Sequence, residues 1–205
     1  MEINTLSNLN FNVEKYINFS ALNPSIVSAK EIRGFNISFT DVTLKDAQFI
    51  LSLRTDTIKN KYLSKTENDI KKQEEWIADY LKKQREAYFI IRDKEHQPIG
   101  TVRLYDNIGT SFCWGSWILV DGCSKFAAIE SALMIYNYAI YLGFDRAHID
   151  VRNDNTSVIK FHENFGAKLI KKDDIDSFYS IDRDSINKSL NRFKRFLPNG
   201  IFILR

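Results

Sequence analysis

Cysteine, proline, methionine and glycine are scarce in this chain of 205 residues, which holds two, three, two and eight of them. Two cysteines cannot build the dense disulfide framework of a small secreted domain. Cys113 and Cys123 have no histidine or further cysteine at ligand spacing, so they read as free thiols in a reducing compartment and no metal is expected. The low glycine and proline content excludes collagen-like and low-complexity chains. No apolar run approaches the ~18 residues of a membrane span, and the opening MEINTLSNLN has neither a basic leader nor an apolar stretch. Neither charge dominates: 29 Lys and Arg against 26 Asp and Glu leave +3, spread without a basic stripe. That balance does not indicate nucleic acid as a partner. The expectation is a soluble cytoplasmic protein, with no membrane partner.

The chain does have apolar mass. A hydrophobic fraction of 44% supports a sizeable core, and at roughly 150 residues per domain the length predicts one domain with appendages. Residues 1–34 show no sustained period and read as an N-terminal extension, 35–183 as the domain, and 184–205 as a C-terminal helix and tail. Phe35, Ile37 and Phe39 alternate as in a half-buried strand. Thr43 with Asp46 resembles a helix N-cap pairing, followed by a helix to about Thr55. A second helix is predicted over Thr66 to Lys83, with Ile70, Ile77 and Leu81 in its apolar stripe. Strand signals follow at Tyr88 to Arg92, Ile99 to Tyr105 and Phe112 to Val120, joined by short turns that imply an antiparallel meander.

After Gly122 the period becomes helical through Ile129, Ala132, Leu133, Tyr136 and Ile140, and Gly143 stands at the C-cap position. Ala147, Ile149 and Val151 then alternate. A strand, a long helix and a strand form a βαβ crossover, so one parallel pair is expected in an otherwise antiparallel sheet. A short helix from Thr156 to Asn164, strands near Lys168 to Lys171 and Phe178 to Ile181, and a helix from Ser185 to Leu197 stopped by Pro198 complete the pattern. In that last helix Lys188, Arg192, Lys194 and Arg195 read as a solvated face.

The run WGSWILVDGCSKFAAIESALMIYNYAIYLGFDRAHIDVRNDNTSVIKFHENFGAKL resembles the acyl-CoA-binding core of the GNAT N-acetyltransferase superfamily. The matching pieces are a Gly-x-Trp-Ile strand, a loop opening a helix, a strand ending in Val151, and Asn155 followed by Gly166. The resemblance implies an α/β fold of α+β type. Its sheet would be mixed and mostly antiparallel, with about six to seven strands, one parallel βαβ pair and flanking helices. It also implies an acetyl-CoA or other short acyl-CoA co-substrate. The family's phosphate loop, Arg/Gln-x-x-Gly-x-Gly/Ala, is represented here by Cys123-Ser124-Lys125-Phe126-Ala127-Ala128, in which only Ala128 matches. Pyrophosphate is held mainly by backbone N–H groups and a helix N-terminal dipole, so the departure need not abolish binding. Lys125, Phe126, Ala127 and Ala128 therefore stay as cofactor-binding candidates, alongside the alternative of a plain turn with Phe126 packed inward.

By the same resemblance Asn155 holds the pantetheine arm or caps the following helix. His162 takes the position where the family places a tyrosine that protonates the departing thiolate. An imidazole can do this if a nearby anion raises its pKa, the alternative being a residue flanking the apolar stripe of Val158, Phe161 and Phe165. His148 and Asp150 share the polar face of their strand with Arg152, as an acid/base wall or a structural layer. Backbone N–H groups near Leu119 and Val120 would bind pantetheine and face the oxyanion. Cys123 is misplaced for a nucleophile, so direct transfer in a ternary complex is implied.

For the acceptor, LRTDTIKNKYLS, TVRLYD and AHIDVRNDNTSVIKFHENFGA resemble the branch of ribosomal-protein and bacterial aminosugar N-acetyltransferases. The favoured acceptor is a nucleotide-linked amino-deoxysugar of surface polysaccharide synthesis, with Arg103, Tyr105 and Trp114 as contact candidates. A protein N-terminus, or a non-catalytic acyl-CoA-binding module, is the alternative, and a homo-oligomer is left open.

Overall fold

A computed structural model describes residues 9–11 and 23–205. Most of the expected N-terminal extension, including the opening octapeptide, lies outside the described residues. A single sheet of ten strands organises the rest, in the spatial order β1-β10-β2-β3-β4-β5-β6-β7-β9-β8. These are β1 Leu9–Phe11, β2 Glu31–Arg33, β3 Ser38–Asp41, β4 Ala87–Arg92, β5 Pro98–Ile108, β6 Ser111–Leu119, β7 Arg146–Arg152, β8 Lys168–Lys172, β9 Asp176–Asp182 and β10 Ile201–Leu204. Every neighbouring pair is antiparallel except β6 with β7. The mixed α/β fold with one parallel crossover is therefore present, and its sheet is longer than expected. The additional strands come from short segments outside 35–183, β2 near the start and β10 past Pro198, with β1 on the outer side of β10. Segments this short have no readable period of their own. They are strands because the sheet edge offers them partners: Phe202 pairs with Arg33 and Ile203 with Ile32.

Among the described residues five helices flank the sheet: α1 Ala47–Thr55, α2 Ile70–Tyr80, α3 Ala127–Tyr141, α4 Thr156–Asn164 and α5 Arg183–Arg192. Strand alternation sends β4 into two cores. Ala87, Phe89 and Ile91 join the large core that includes α3, whereas Tyr88 and Ile90 join a smaller one with Ile50 of α1 and Ile77 and Tyr80 of α2. The predicted stripe of α3 is buried except for the half-buried Ile129, and so are Glu130, Ser131 and Asn137. Helix α2 starts later than predicted, because Asp69 is its N-cap and accepts from the N–H groups of Lys71 and Lys72. The last helix is split: α5 is capped by Asp182, and a 3-10 turn over Lys194–Phe196 follows.

The strand expected from Phe35 begins only at Ser38. Glu130, 1% exposed on α3, captures the turn before it: Oε1 accepts from the N–H groups of Phe35 and Asn36 at 2.6 Å and of Ile37 at 3.2 Å, and Oε2 from Asn36 Nδ2 at 3.0 Å. Those amides bond a carboxylate in place of a ladder. Gly34 admits this approach, since a Cβ there would lie 2.7 Å from Glu130 Oε1. Phe35 is left half exposed, with the Lys94 ammonium 5.4 Å from its ring centre.

Candidate active site

The parallel pairing of β6 with β7 covers only Ser111 with Arg146 and Phe112 with Ala147. Beyond those two pairs the strands part. The right-handed twist of a sheet already tends to separate unpaired strand ends, and β6 also carries a bulge, because its register against β5 shifts between Thr101 and Arg103. At that bulge Ser116 has φ +46°, and its carbonyl accepts from the Thr101 hydroxyl at 2.7 Å. The gap is a cleft of about 650 Å³ lined by residues of β6, β7 and α4, including Trp114, Trp117, Leu119, Asp150, Asn155 and His162. A second cavity of about 330 Å³ lies beside it and shares Ser116, Arg54 and Ser64.

The cleft collects some of the expected residues and not others. Tyr105 and Trp114 line it, whereas Arg103 lines the smaller cavity, where its guanidinium is ion-paired to Glu86 and lies 5.3 Å from the Trp76 ring centre. Asn155 is the N-cap of α4, its side chain accepting from the Val158 N–H at 3.4 Å, and it faces the cleft as well. Leu119 lines the cleft. Val120 is a correction: its N–H donates to the Ile99 carbonyl at 2.9 Å, so it is spent in the sheet and cannot face an oxyanion. Because successive N–H groups along a strand point to opposite edges, the Leu119 N–H is directed to the open β7 side.

His148 is also corrected. It sits at the closed root of the split, with Nδ1 2.8 Å from the Ser111 hydroxyl and Nε2 3.1 Å from Asp106. A bulge in β5, marked by φ +51° at Asp106, supplies this partner. Both ring nitrogens are occupied and His148 does not line the cleft; Asp150 and Arg152, farther along β7, do. Asp150 is exposed, with one oxygen 3.9 Å from Cys113 Sγ. Burial pushes the Cys113 thiol up to about 12 and raises Tyr105 above the ordinary phenol range. Cys113 is thus an inert thiol at neutral pH.

His162 is 3% exposed and packs edge-on against Trp114, with ring centroids 5.1 Å apart. The condition set for it to serve as an acid, a nearby anion that raises its pKa, is not met: no carboxylate faces it among the described residues, and desolvation lowers it to about 4. The ring is neutral at pH 7, and Nδ1 is buried without a hydrogen-bond partner.

At the N-terminus of α3 Phe126 provides no side-chain cap, and the Ala127 N–H is already given to the Ser124 carbonyl at 2.9 Å. Ala128 keeps its place in the uncapped first turn and Lys125 is exposed. The alternative of a turn with Phe126 packed inward is not seen: the ring is half exposed and leans on Phe196, ring centroids 5.1 Å apart. None of these four residues lines the cleft.

One element was not read from the sequence as part of the site. The segment after α1 crosses the mouth of the split: Lys59 pairs with Asp121, just beyond β6, while the Tyr62 hydroxyl donates to the Asp154 carbonyl at 3.2 Å, just beyond β7. Its residues carry no periodic signal, and only the fold brings them to both lips.

A family model described as an acetyltransferase (GNAT) domain matches residues 36–168. Among solved structures, one titled apo FdhC, a nucleotide-linked sugar GNAT, is 38% identical over 85% of this chain and 99% of its own, with a TM-score of 0.72. A GCN5-related N-acetyltransferase from Brucella melitensis has the same TM-score at 15% identity, over 86% and 90% of the two chains. A spermidine N-acetyltransferase variant from Vibrio cholerae reaches 0.62 at 17% identity, over 77% and 98%; these last two show the fold alone. No curated protein sequence matches the chain. Among the described residues no helix is long and apolar enough to cross a membrane. Members of this family use acetyl-CoA as co-substrate. With the family model spanning residues 36–168 and a solved GNAT structure 38% identical over 85% of the chain, the chain belongs to the GNAT acetyltransferase family and is an N-acyltransferase.

Proposed function

We infer that this enzyme transfers an acetyl or similar short acyl group from acyl-CoA to the amino group of a nucleotide-linked amino-deoxysugar, in the cytoplasm, as a step toward surface polysaccharide. The observation that carries the reading is the open split between β6 and β7, with an unpartnered neutral imidazole in its wall. The acceptor class follows the printed description of the solved relative at 38% identity.

The acyl-CoA arm lies in the split with its phosphates toward the uncapped first turn of α3 and Lys125. Asn155 holds the arm, and the Leu119 N–H faces the developing oxyanion. The amine attacks as its free base. In the resulting zwitterion the nitrogen is strongly acidic, so a weak base suffices: His162 takes that proton as the C–N bond completes, and returns it to the thiolate sulfur as the C–S bond breaks. A neutral imidazole with a depressed pKa suits this relay better than the standing acid expected from the sequence. Asp150 and Tyr105 border the path, and no covalent enzyme intermediate is involved.

Thiol release from acetyl-CoA, assayed with dTDP- and UDP-linked aminosugars and with an N-terminal peptide, tests the reading. Turnover with at least one sugar and not with the peptide supports it. Turnover with the peptide alone overturns the acceptor and leaves the transferase.

A further inference from the structure

The cavity of about 330 Å³ borders the cleft and is lined mostly by residues the cleft does not share. Its lining is cationic, with Arg54, Lys65, Lys72 and Arg103, and includes the indole of Trp76 at its wall. Two of the four cations are matched by carboxylates, Lys72 by Glu67 and Arg103 by Glu86. Arg54 is not: its Nε donates to the Thr66 hydroxyl at 2.7 Å and its Nη2 to the Ser64 hydroxyl at 2.9 Å, both neutral, and among the described residues no carboxylate pairs with it. Even Arg103, inside its ion pair, keeps Nε buried with no acceptor. The cavity thus holds guanidinium donors already oriented, with charge to spare for an anion.

Two further features fix the kind of anion. Trp76 is 38% exposed although it is T-shaped against Tyr88, stacked on Tyr80 and 5.3 Å from the Arg103 guanidinium, and it lines the cavity. An aromatic wall beside paired cations suits a planar base joined to phosphates. The cavity also meets the reaction cleft at Ser116, on the bulge, so a ligand seated in it projects its far end toward the thioester.

We propose that this cavity is the acceptor's nucleoside diphosphate subsite, with Arg54 and Lys65 on the diphosphate and the exposed part of Trp76 packed against the base. The assignment rests on the acyltransferase reading for the direction in which the sugar points, but its binding chemistry is separately measurable. Calorimetric titration of the full chain with UDP, dTDP and inorganic pyrophosphate reads it, with acetyl-CoA titrated in parallel. The expected result is saturable nucleoside diphosphate binding that weakens at least fivefold in Lys65→Gln, an exposed side chain, and at least tenfold in Arg54→Gln. Trp76→Leu weakens nucleoside diphosphate binding and leaves pyrophosphate unchanged, while acetyl-CoA affinity stays within twofold in Lys65→Gln and Trp76→Leu, neither of which lines the cleft. Binding of acetyl-CoA without either nucleoside diphosphate overturns the subsite and leaves the transferase; so does wild-type nucleoside diphosphate affinity in the three variants. The converse, nucleoside diphosphate binding without acetyl-CoA binding, overturns the proposed reaction and leaves the subsite.

Discussion

His162 stands edge-on to Trp114 with ring centroids 5.1 Å apart and planes inclined at 72°. Trp114 and Phe161 both pack edge-on against the imidazole, and burial of the ring keeps it neutral. Its folded-state pKa, about 4, lies below the free value of 6.5, so the unfolded chain binds a proton more readily. Stability associated with this site is full above about pH 6.5 and falls as the pH drops toward 4, by up to about 3 kcal/mol. Denaturant midpoints measured between pH 7.5 and 4.5 are expected to fall less steeply in His162→Phe than in the wild type. Parallel curves for the two proteins contradict a neutral buried imidazole.

If His162 carries the proton from nitrogen to sulfur, His162→Gln lowers kcat by about 10²- to 10⁴-fold. Acetyl-CoA affinity changes by less than twofold, because the substitution keeps a polar side chain of similar reach. Stopped-flow or steady-state thiol release with equilibrium binding separates the two quantities. An unchanged kcat removes His162 from the chemistry.

Glu130 tests the joint between α3 and the β2–β3 turn. Replacement by Gln removes the charge from its bonds to Phe35, Asn36 and Ile37 and turns an amide N–H₂ into a buried space filled by donors. Charge-assisted bonds of this kind contribute roughly 1.5 to 3 kcal/mol each, and an unmet buried donor adds to the loss. Glu130→Gln is expected to lower unfolding stability by about 3 kcal/mol in urea titration. A loss under 1 kcal/mol contradicts the account.

The strap over the cleft mouth makes a contrasting prediction. Lys59, its side chain 14% exposed, pairs with the 92% exposed Asp121, and a pair so open to solvent on one side contributes little to folding. Lys59→Gln combined with Tyr62→Phe is therefore expected to leave Tm nearly unchanged while raising KM for acetyl-CoA several-fold. Equal effects on Tm and KM indicate a purely structural strap.

Much of the central fold was readable because its residues repeat with the right period and are long enough to do so. Ala147 to Val151 alternates, Tyr88 to Arg92 and Ile99 to Tyr105 are apolar-rich runs bounded by turns, and Thr43 with Asp46 does form a capping box. The edge of the sheet was not readable, since three or four residues at Glu31–Arg33 and Ile201–Leu204 carry no period. Phe35 misled because its amide prefers a carboxylate 95 positions away to a strand partner.

The site divides in the same way. Asn155 has a capping role that its local sequence NDNTS announces, and His162 falls within the α4 pattern, so both could be found along the chain. By itself the sequence determined residue types and local order: the helix that presents His162, the strand that presents Trp114, and the crossover joining β6 to β7. Only the tertiary structure decided protonation and access. The charge state of His162 follows from desolvation by packed neighbours, the Val120 N–H is spent on a distant carbonyl, His148 is shut between Ser111 and Asp106, and Arg54 comes to border two cavities. Each of these depends on distances between residues far apart in the chain, which spacing along the sequence does not encode.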